Sequence, residues 1–400
     1  MSVELERARK LEQFFAQDPS NTLLLRDIAT TYQAAGEYEK ALEFFEKLKD
    51  LTIDDPGLLN NLGVLYLALN RGEEAVDVLQ QATTIAPEAS NLLFNLGYTQ
   101  FSLGQTETAR DLFENLIEQN PNNPEYLYFL ALAYDELGND EASRQCLDKL
   151  FALEPNHLRG QLFSALSDFQ AGNLQQAQKQ TKQILERYPN DIETLQLKAE
   201  IALLDFNAQQ ALSTLRKAES INPKEAHTQL LLGQTLLMLQ RNKQARQAFE
   251  RAIEYDQTSA FAHIGLGWAT LLKEDSAIAE QAFLQAISID PSEADAYVGM
   301  AILALIRKVP EEARCQAQQA LRYNPKNITA QLILESVKQA QHENQASNTA
   351  VQDLLNNHTL TPFGWSVKDL TKKFKASATG RSAINKHLRY ARMKKTVGKT

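Results

Sequence analysis

Proline recurs in this sequence at a step of 34 residues. The series breaks at Ile53 and Gln257, and it runs through Pro19, Pro87, Pro121, Pro155, Pro189, Pro223, Pro291 and Pro325. Because a proline steers the residue before it away from helical geometry, a regular series of prolines divides the chain at that interval. A period of this length is typical of stacked structural units that bury their apolar faces against one another.

Two further columns follow the same step. One is alanine with a single serine: Ala41, Ala75, Ala109, Ser143, Ala177, Ala211, Ala245, Ala279 and Ala313. The other contains only small residues: Ala29, Gly63, Gly97, Ala131, Ala165, Ala199, Gly233, Gly267 and Ala301. Small residues at two points of each unit allow two helices to approach closely. The columns therefore predict one pair of packed helices in each unit.

At these positions the sequence resembles the tetratricopeptide repeat family. The second repeat carries most of the family's pattern, in Leu59, Leu62, Gly63, Tyr66, Ala75, Leu79, Ala82 and Pro87. The resemblance extends over nine repeats, residues 22–327. It implies an all-α fold, a right-handed superhelical solenoid of helix-turn-helix repeats with the first helices lining the concave face. A glycine marks the expected turn between the helices of four repeats, at Gly36, Gly104, Gly138 and Gly172.

The segments outside the repeats have distinct patterns. Residues 1–21 predict an N-terminal capping helix, equivalent to the second helix of a repeat because Pro19 belongs to the proline series. Residues 328–342 predict a C-terminal capping helix, and residues 343–360 predict a linker. Residues 361–400 contain two basic amphipathic stretches and predict a helical tail.

Charge is divided unevenly along the chain, whose net charge is −9. Residues 361–400 contain eleven Lys or Arg and one acidic residue, Asp369, so this tail carries +10 and the remainder carries −19. Such asymmetry indicates a separate role for the tail. No apolar run is long enough to span a bilayer, and the N-terminus is charged where a secretory signal needs an apolar segment. We expect a cytoplasmic protein without a transmembrane segment.

The sequence offers no catalytic constellation. It contains no phosphate-binding glycine loop and no nucleophile elbow. Its six histidines are scattered without metal-ligand spacing, at His157, His227, His263, His342, His358 and His387. We therefore expect neither a cofactor nor a metal, and we expect that the protein is not an enzyme.

The resemblance implies a ligand-binding groove on the first helices. The family's ligand-contacting positions fall on the following residues: Asn61, Asn91, Phe94, Asn95, Tyr98, Phe101, Tyr128, Phe129, Leu132, Leu162, Phe163, Leu166, Phe169, Leu230, Met238, Phe261, Trp268 and Ile302. Some of these side chains must pack helix against helix. The others predict an apolar, aromatic groove for an extended or helical peptide.

Two specialised modes of ligand binding in this family do not fit. The family's carboxylate-binding set of Lys, Asn and Arg is not supplied by Arg26, Thr30, Asn61 and Asn95. An asparagine ladder is also excluded, because Asn61 and Asn95 are followed by Phe129, Phe163 and Leu197 at the same position.

The basic tail has three interpretations. It could bind single-stranded nucleic acid, lie on an anionic membrane, or fold back on the acidic repeats as a partly solvated end. The side chains expected to make these contacts are Trp365, Lys372, Lys373, Lys375, Arg381, Arg389 and Arg392.

Two functional hypotheses follow. In the first, the protein is a non-catalytic scaffold, adaptor or chaperone-like protein that binds a protein segment in the groove. In the second, the tail contacts nucleic acid as a regulator, and the repeats act as a sensor or an assembly arm.

Overall fold

The computed structural model describes residues 3–52, 54–271 and 276–342, with side chains as far as Lys338. These residues form helices and connecting turns, with no strand in the ranges described. The helices are α1 (Val3–Phe15), α2 (Thr22–Ala34), α3 (Tyr38–Leu51), α4 (Pro56–Ala68), α5 (Gly72–Ile85), α6 (Ser90–Ser102), α7 (Thr106–Gln119), α8 (Pro124–Glu136), α9 (Asp140–Leu153), α10 (Leu158–Ala171), α11 (Leu174–Arg187), α12 (Ile192–Leu204), α13 (Ala208–Ile221), α14 (Ala226–Met238), α15 (Asn242–Tyr255), α16 (Ala260–Leu271), α17 (Ser276–Ile289), α18 (Ala294–Ile306), α19 (Pro310–Tyr323) and α20 (Ile328–His342).

The helices pack in consecutive pairs, which confirms the all-α repeat fold. The even-numbered helices from α2 to α18 are the first helices of the repeats, and the odd-numbered helices from α3 to α19 are the second. The paired packing is seen in α2 with α3, α4 with α5, α6 with α7, α8 with α9, α12 with α13, α14 with α15, α16 with α17 and α18 with α19. The described chain forms two compact bodies, an N-terminal body that ends at Gly160 and a C-terminal body that begins at Gln161.

Side-chain caps begin most first helices, and the capping residue lies two positions after the position of the proline series. The Asp55 carboxylate accepts a hydrogen bond from the Leu58 N–H at 3.0 Å, and Asp191 accepts one from the Thr194 N–H at 2.8 Å. The same role falls to Asn21, Asn123, His157, Glu225, Ser259 and Asn327. Each cap satisfies a backbone donor that has no partner inside its helix, so the start of the helix is fixed locally.

The small-residue column lies where the two helices of a repeat meet. A Cβ at Gly63 would lie 2.5 Å from Leu79 Cγ, and one at Gly267 would lie 2.5 Å from Phe283 Cε1. In the C-terminal body the Phe249 ring also meets a second glycine, since a Cβ at Gly265 on the next first helix would overlap it. A buried aromatic ring therefore packs between glycines of successive first helices, α14 and α16.

The turn between the two helices of a repeat is left-handed at one fixed position. The expected glycines Gly36, Gly104, Gly138 and Gly172 have φ between 74° and 83°. In other repeats the same position has positive φ without glycine, at Asn70, Phe206, Gln240 and Lys308. The left-handed turn thus belongs to the repeat geometry, whether or not the residue favours it.

Candidate functional site

An aromatic cluster joins two first helices of the N-terminal body, α6 and α8. The Phe94 ring lies 5.3 Å from Phe129 and 5.5 Å from Tyr126, measured between ring centroids. Tyr98 lies 5.4 Å from Phe129 in an edge-to-face arrangement. These separations are within the range in which aromatic pairs attract one another. The cluster thus unites four side chains from two neighbouring repeats.

Exposure divides this cluster into a surface and a floor. Phe129 is 4% exposed and packs on Phe113 of α7 with a centroid separation of 5.7 Å. Phe94, Tyr98 and Tyr126 are only half-buried. We call these three residues the aromatic patch. Phe94 and Tyr98 pack on the buried Phe129 and Tyr126 packs on Phe94, so the three rings present apolar area at little additional entropic cost on binding.

Polar side chains flank the aromatic patch on the side of α4. Asn95 Nδ2 donates a hydrogen bond to Asn60 Oδ1 at 2.7 Å, which ties α6 to α4. Nearer the N-terminus, Arg26 Nη2 lies 2.5 Å from Asp55 Oδ2. Desolvation acts to raise the pKa of the Asp55 carboxyl, but hydrogen bonds from Arg26 and from the Leu58 N–H outweigh it and lower that pKa. These polar groups satisfy one another across neighbouring repeats.

Arg159 flanks the cluster at the end of the N-terminal body. Its guanidinium lies 4.9 Å from the Tyr128 ring centroid, a cation–π contact, and it also forms an ion pair with Glu125. The neighbouring His157 caps α10 by accepting a hydrogen bond from the Gly160 N–H at Nδ1, 3.0 Å away. Desolvation, together with the Arg159 charge, lowers the pKa of His157, which favours the neutral ring that this cap requires.

The first helices of the C-terminal body carry a buried polar network. Gln196 Nε2 on α12 donates to Glu225 Oε2 at 2.6 Å and to Thr228 Oγ1 at 2.9 Å. Glu200 Oε1, also on α12, lies 3.0 Å from His227 Nε2 on α14. Hydrogen bonds between mostly buried polar side chains therefore join α12 to α14. These residues link neighbouring repeats.

Comparison with known families identifies the repeat that these helix pairs form. Three family models described as tetratricopeptide repeat match the chain, one at residues 20–88, one at residues 100–166 and 202–264, and one at residues 164–191. Together they cover more than half of the sequence. The chain belongs to the tetratricopeptide repeat family.

Solved structures of other tetratricopeptide repeat proteins share the fold. A protein of this family from Parabacteroides merdae ATCC 43184 is 20% identical with a TM-score of 0.55, and the match covers 62% of this chain and 98% of the other. A chain of the APC/C hetero-tetramer Cut9–Hcn1 is 14% identical with a TM-score of 0.57, and the match covers 78% of this chain and 63% of the other. At these identities the likeness concerns the fold alone. No curated protein matches the sequence.

Tetratricopeptide repeats generally mediate protein–protein interaction, and proteins of this family are typically non-catalytic. In the part of the chain that the structure describes, no three His, Cys, Asp or Glu side chains come together as metal ligands could. No helix within the described ranges is both long and apolar enough to cross a membrane.

The side chains predicted for the tetratricopeptide groove differ in exposure. Half of them are buried between helices: Phe101, Tyr128, Phe129, Leu162, Leu166, Phe169, Leu230, Trp268 and Ile302. Eight are half-buried: Asn61, Phe94, Asn95, Tyr98, Leu132, Phe163, Met238 and Phe261. Asn91 is exposed. The buried side chains pack the repeats, so contact with a ligand remains a prediction mainly for the other nine.

Sequence reasoning did not find Tyr126, Arg159, Gln196, Glu200 or His227. Tyr126 lies outside the family's contact positions, and we include it in the patch because its ring contacts Phe94. The polar residues of α12 were visible in the sequence as glutamine and glutamate among leucines. The tail side chains named above, from Trp365 to Arg392, lie outside the described residues.

Proposed function

We propose that the protein is a non-catalytic scaffold or adaptor, possessing a chaperone-like capacity to hold a protein segment, and that the aromatic patch is its principal binding surface. The observation that carries this proposal is the grouping of half-buried Phe94, Tyr98 and Tyr126 on a buried aromatic floor. The occupant would be a peptide segment with apolar anchors. The proposed location is the cytoplasm.

The geometry supports a peptide ligand in three ways. Aromatic side chains are favoured anchors in protein interfaces because they offer large contact area with few rotatable bonds. The patch lies on first helices, where the family places its ligands. The exposed Asn91 and the paired Asn60 and Asn95 supply amides beside the patch, which could hydrogen-bond the backbone of an extended peptide.

We also propose a division of the chain into repeats, end helices, a linker and a tail. Residues 22–327 would form the nine repeats, with residues 1–21 and 328–342 closing the two ends and residues 343–360 linking them to the tail. Terminal repeat segments with a polar outer side keep such stacks soluble. Other half-buried groove positions, including Leu132 and Phe261, would extend the contact beyond the patch.

A peptide display experiment on the full-length protein tests this proposal. We would select a random peptide library against the wild-type chain and measure the affinity of the selected peptides by calorimetry. Peptides with aromatic or aliphatic anchors are expected, and Tyr98→Ala should weaken their binding roughly tenfold, as truncating a central anchor does. Asn91→Glu, at an exposed position, should weaken it without disturbing helix packing.

A matched control is Leu284→Ala on α17, a side chain 51% exposed on a second helix. It should leave the affinity unchanged. If the library yields no binder, or if the selected peptides bind the Tyr98→Ala and Asn91→Glu variants as tightly as the wild type, the aromatic patch is not the binding surface.

The charge division of the sequence favours a second candidate function, in which the tail binds nucleic acid. Its eleven Lys and Arg would contact phosphates, and the affinity would fall steeply with salt. The test compares binding of labelled single-stranded DNA by the full-length protein and by its Lys372→Glu, Lys373→Glu, Lys375→Glu triple variant at two salt concentrations. Equal binding by both proteins at both concentrations would refute it.

A further inference from the structure

Two neighbouring clefts open between the second helices α11 and α13 of the C-terminal body, with α12 between those helices. The first has a volume of 390 Å³ and is lined by residues of all three helices, among them Lys179 and Lys182. The second has a volume of 340 Å³ and is lined in part by Lys217. Lys198 of α12 lines both, so the clefts meet at this side chain. We call the combined surface the lysine cleft.

The charge of the lysine cleft is of one sign. Its four charged lining residues are Lys179, Lys182, Lys198 and Lys217, and no described Asp or Glu lines it. Residues 1–360 carry a net charge of −19, so the cleft contrasts with the charge of that part of the chain. Several lysines on one surface create a positive potential that attracts an anionic ligand and raises its rate of association.

Nearby carboxylates do not neutralise these lysines closely. Glu186 lies 4.0 Å from Lys182 Nζ, with both side chains mostly exposed, which makes a weak ion pair. Glu219 is engaged by the guanidinium of Arg216 at 2.6 Å. Lys217 Nζ donates to the Pro189 carbonyl at 2.5 Å, a neutral acceptor that leaves the positive charge in place.

The floor of the lysine cleft is apolar. Leu195, Ile201 and Ala202 of α12 line the clefts but are buried, and the half-buried Leu185 of α11 lines the second cleft. The hydroxyls of Thr181 and Thr214 hydrogen-bond to carbonyls of their own helices, at 3.0 and 2.9 Å. The surface thus combines a cationic rim with a small apolar area at Leu185, which matches a ligand that has carboxylates with apolar side chains beside them.

We propose that the lysine cleft binds an acidic amphipathic peptide segment of a partner protein. Two joined clefts on adjacent helices suit an elongated ligand better than a single ion. Lysine ammonium groups are flexible point charges without the bidentate fork of arginine, so they tolerate the varied positions of Glu and Asp along a peptide. This surface is separate from the aromatic patch and would serve a second partner segment.

Fluorescence anisotropy on the full-length protein tests this inference. The probe is a labelled 15-residue peptide of Glu and Leu, spaced so that the two residue types lie on opposite faces of a helix. The comparison peptide has Gln in place of every Glu. Binding of the acidic probe is expected to weaken with added salt. Lys198→Glu should weaken it about five- to tenfold, because it reverses the charge at the meeting point of the clefts.

The matched control is Lys243→Glu on α15, an exposed lysine outside the cleft that makes the same change in net charge. The affinity of the Lys243→Glu variant for the acidic probe should remain within about twofold of the wild-type affinity. Lys198→Met removes the charge while keeping an apolar stem, so weaker binding by this variant would reflect lost attraction and not misfolding. Thermal unfolding checks that both Lys198 variants are folded.

Three results would overturn the inference. The first is equal weakening by Lys198→Glu and Lys243→Glu, which would indicate a general charge effect. The second is equal binding of the glutamine peptide. The third is complete displacement of the probe by tripolyphosphate together with tighter binding of tripolyphosphate itself, which would make the cleft a phosphate site.

Discussion

The Tyr32 hydroxyl donates a hydrogen bond to Glu12 Oε1 at 2.8 Å, and the two residues lie 20 positions apart. The same bond joins Tyr66 to Glu46 at 2.9 Å and Tyr134 to Glu114 at 2.5 Å, again 20 positions apart. Glu12 therefore occupies in α1 the position that Glu46 and Glu114 occupy in second helices. This correspondence supports the interpretation of α1 as equivalent to the second helix of a repeat.

Removing the Tyr32 hydroxyl should loosen α1. Tyr32→Phe keeps the buried ring and its stacking on Phe44, but it leaves the half-buried Glu12 without its donor, and we expect a loss of about 1 kcal/mol. Because repeat proteins unfold locally, hydrogen exchange of α1 amides is the direct measurement. The control is Tyr38→Phe, an exposed tyrosine on α3. Unchanged protection of α1 would contradict the prediction.

A methyl group at Gly265 should destabilise the C-terminal body. Alanine normally favours a helix over glycine by about 1 kcal/mol. Here its Cβ would overlap the fully buried Phe249 ring, and overpacking of this kind costs about 1–3 kcal/mol. We expect Gly265→Ala to be destabilising in denaturant unfolding, against the trend of helix propensity.

A double-mutant cycle identifies the cause of that loss. Leu79 occupies the Phe249 position in the second repeat, so Phe249→Leu introduces a side chain that the fold already accepts there. Phe249→Leu should cost less in the Gly265→Ala protein than in the wild type, because the smaller side chain relieves the clash. Strictly additive losses would show that the glycine is not required by the ring.

At the left-handed turn position, we expect glycine to stabilise the protein and a residue with a Cβ to destabilise it. Gln240 is exposed with φ of 57°, so Gln240→Gly should stabilise the protein by about 0.5–1 kcal/mol. Gly104 has φ of 77° and open space where a Cβ would lie, so Gly104→Ala should destabilise by a similar amount through backbone strain alone. Calorimetric melting temperatures of the two variants check both. A decrease for Gln240→Gly would refute the strain argument.

Asp295 on α18 predicts a pH dependence of stability. Desolvation raises the pKa of this half-buried carboxyl to about 6 from an ordinary value of 3.8, although Asn327 Nδ2 donates a hydrogen bond to it at 3.1 Å. Between these pH values the folded state holds a proton that the unfolded state releases. Its stabilising contribution is therefore full below pH 3.8 and is lost as pH rises through 6.

The isosteric variant Asp295→Asn isolates this effect. It keeps the oxygen that accepts from Asn327 but cannot titrate. The free energy of unfolding of the wild type, measured relative to this variant, should fall as pH rises from 3.8 to above 6. A constant difference in the free energy of unfolding over that range would show that the pKa of Asp295 is not raised in the folded protein.

The sequence predicts the helices well because every repeat buries the same positions. Prolines and small residues at a fixed step are sufficient to place helix pairs, and the caps could also have been predicted, since Asn21, Asp55, Asn123 and Asp191 each follow a series position by two residues. The left-handed turns at Gln240 and Lys308 could not, because neither residue type favours that conformation and the repeat geometry imposes it.

The binding surface is predicted less completely, for a physical reason. Phe94 and Tyr128 occupy the same position in successive repeats, yet Phe94 is half-buried and Tyr128 is 9% exposed. Tyr128 is covered by Arg159, whose position depends on its ion pair with Glu125. Exposure thus depends on the bulk and the partners of residues in the next repeat, which the periodicity of one column does not encode.

The packing of Phe249 between Gly233 and Gly265, and of Phe283 between Gly267 and Gly299, has a mechanical consequence. Each ring lies between two successive first helices, at a point where the glycines add no side chain. The separation of α14, α16 and α18 at these points therefore depends on the size and tilt of two phenyl rings. We therefore expect that a smaller side chain at either position would change the spacing of the two first helices that its ring now contacts.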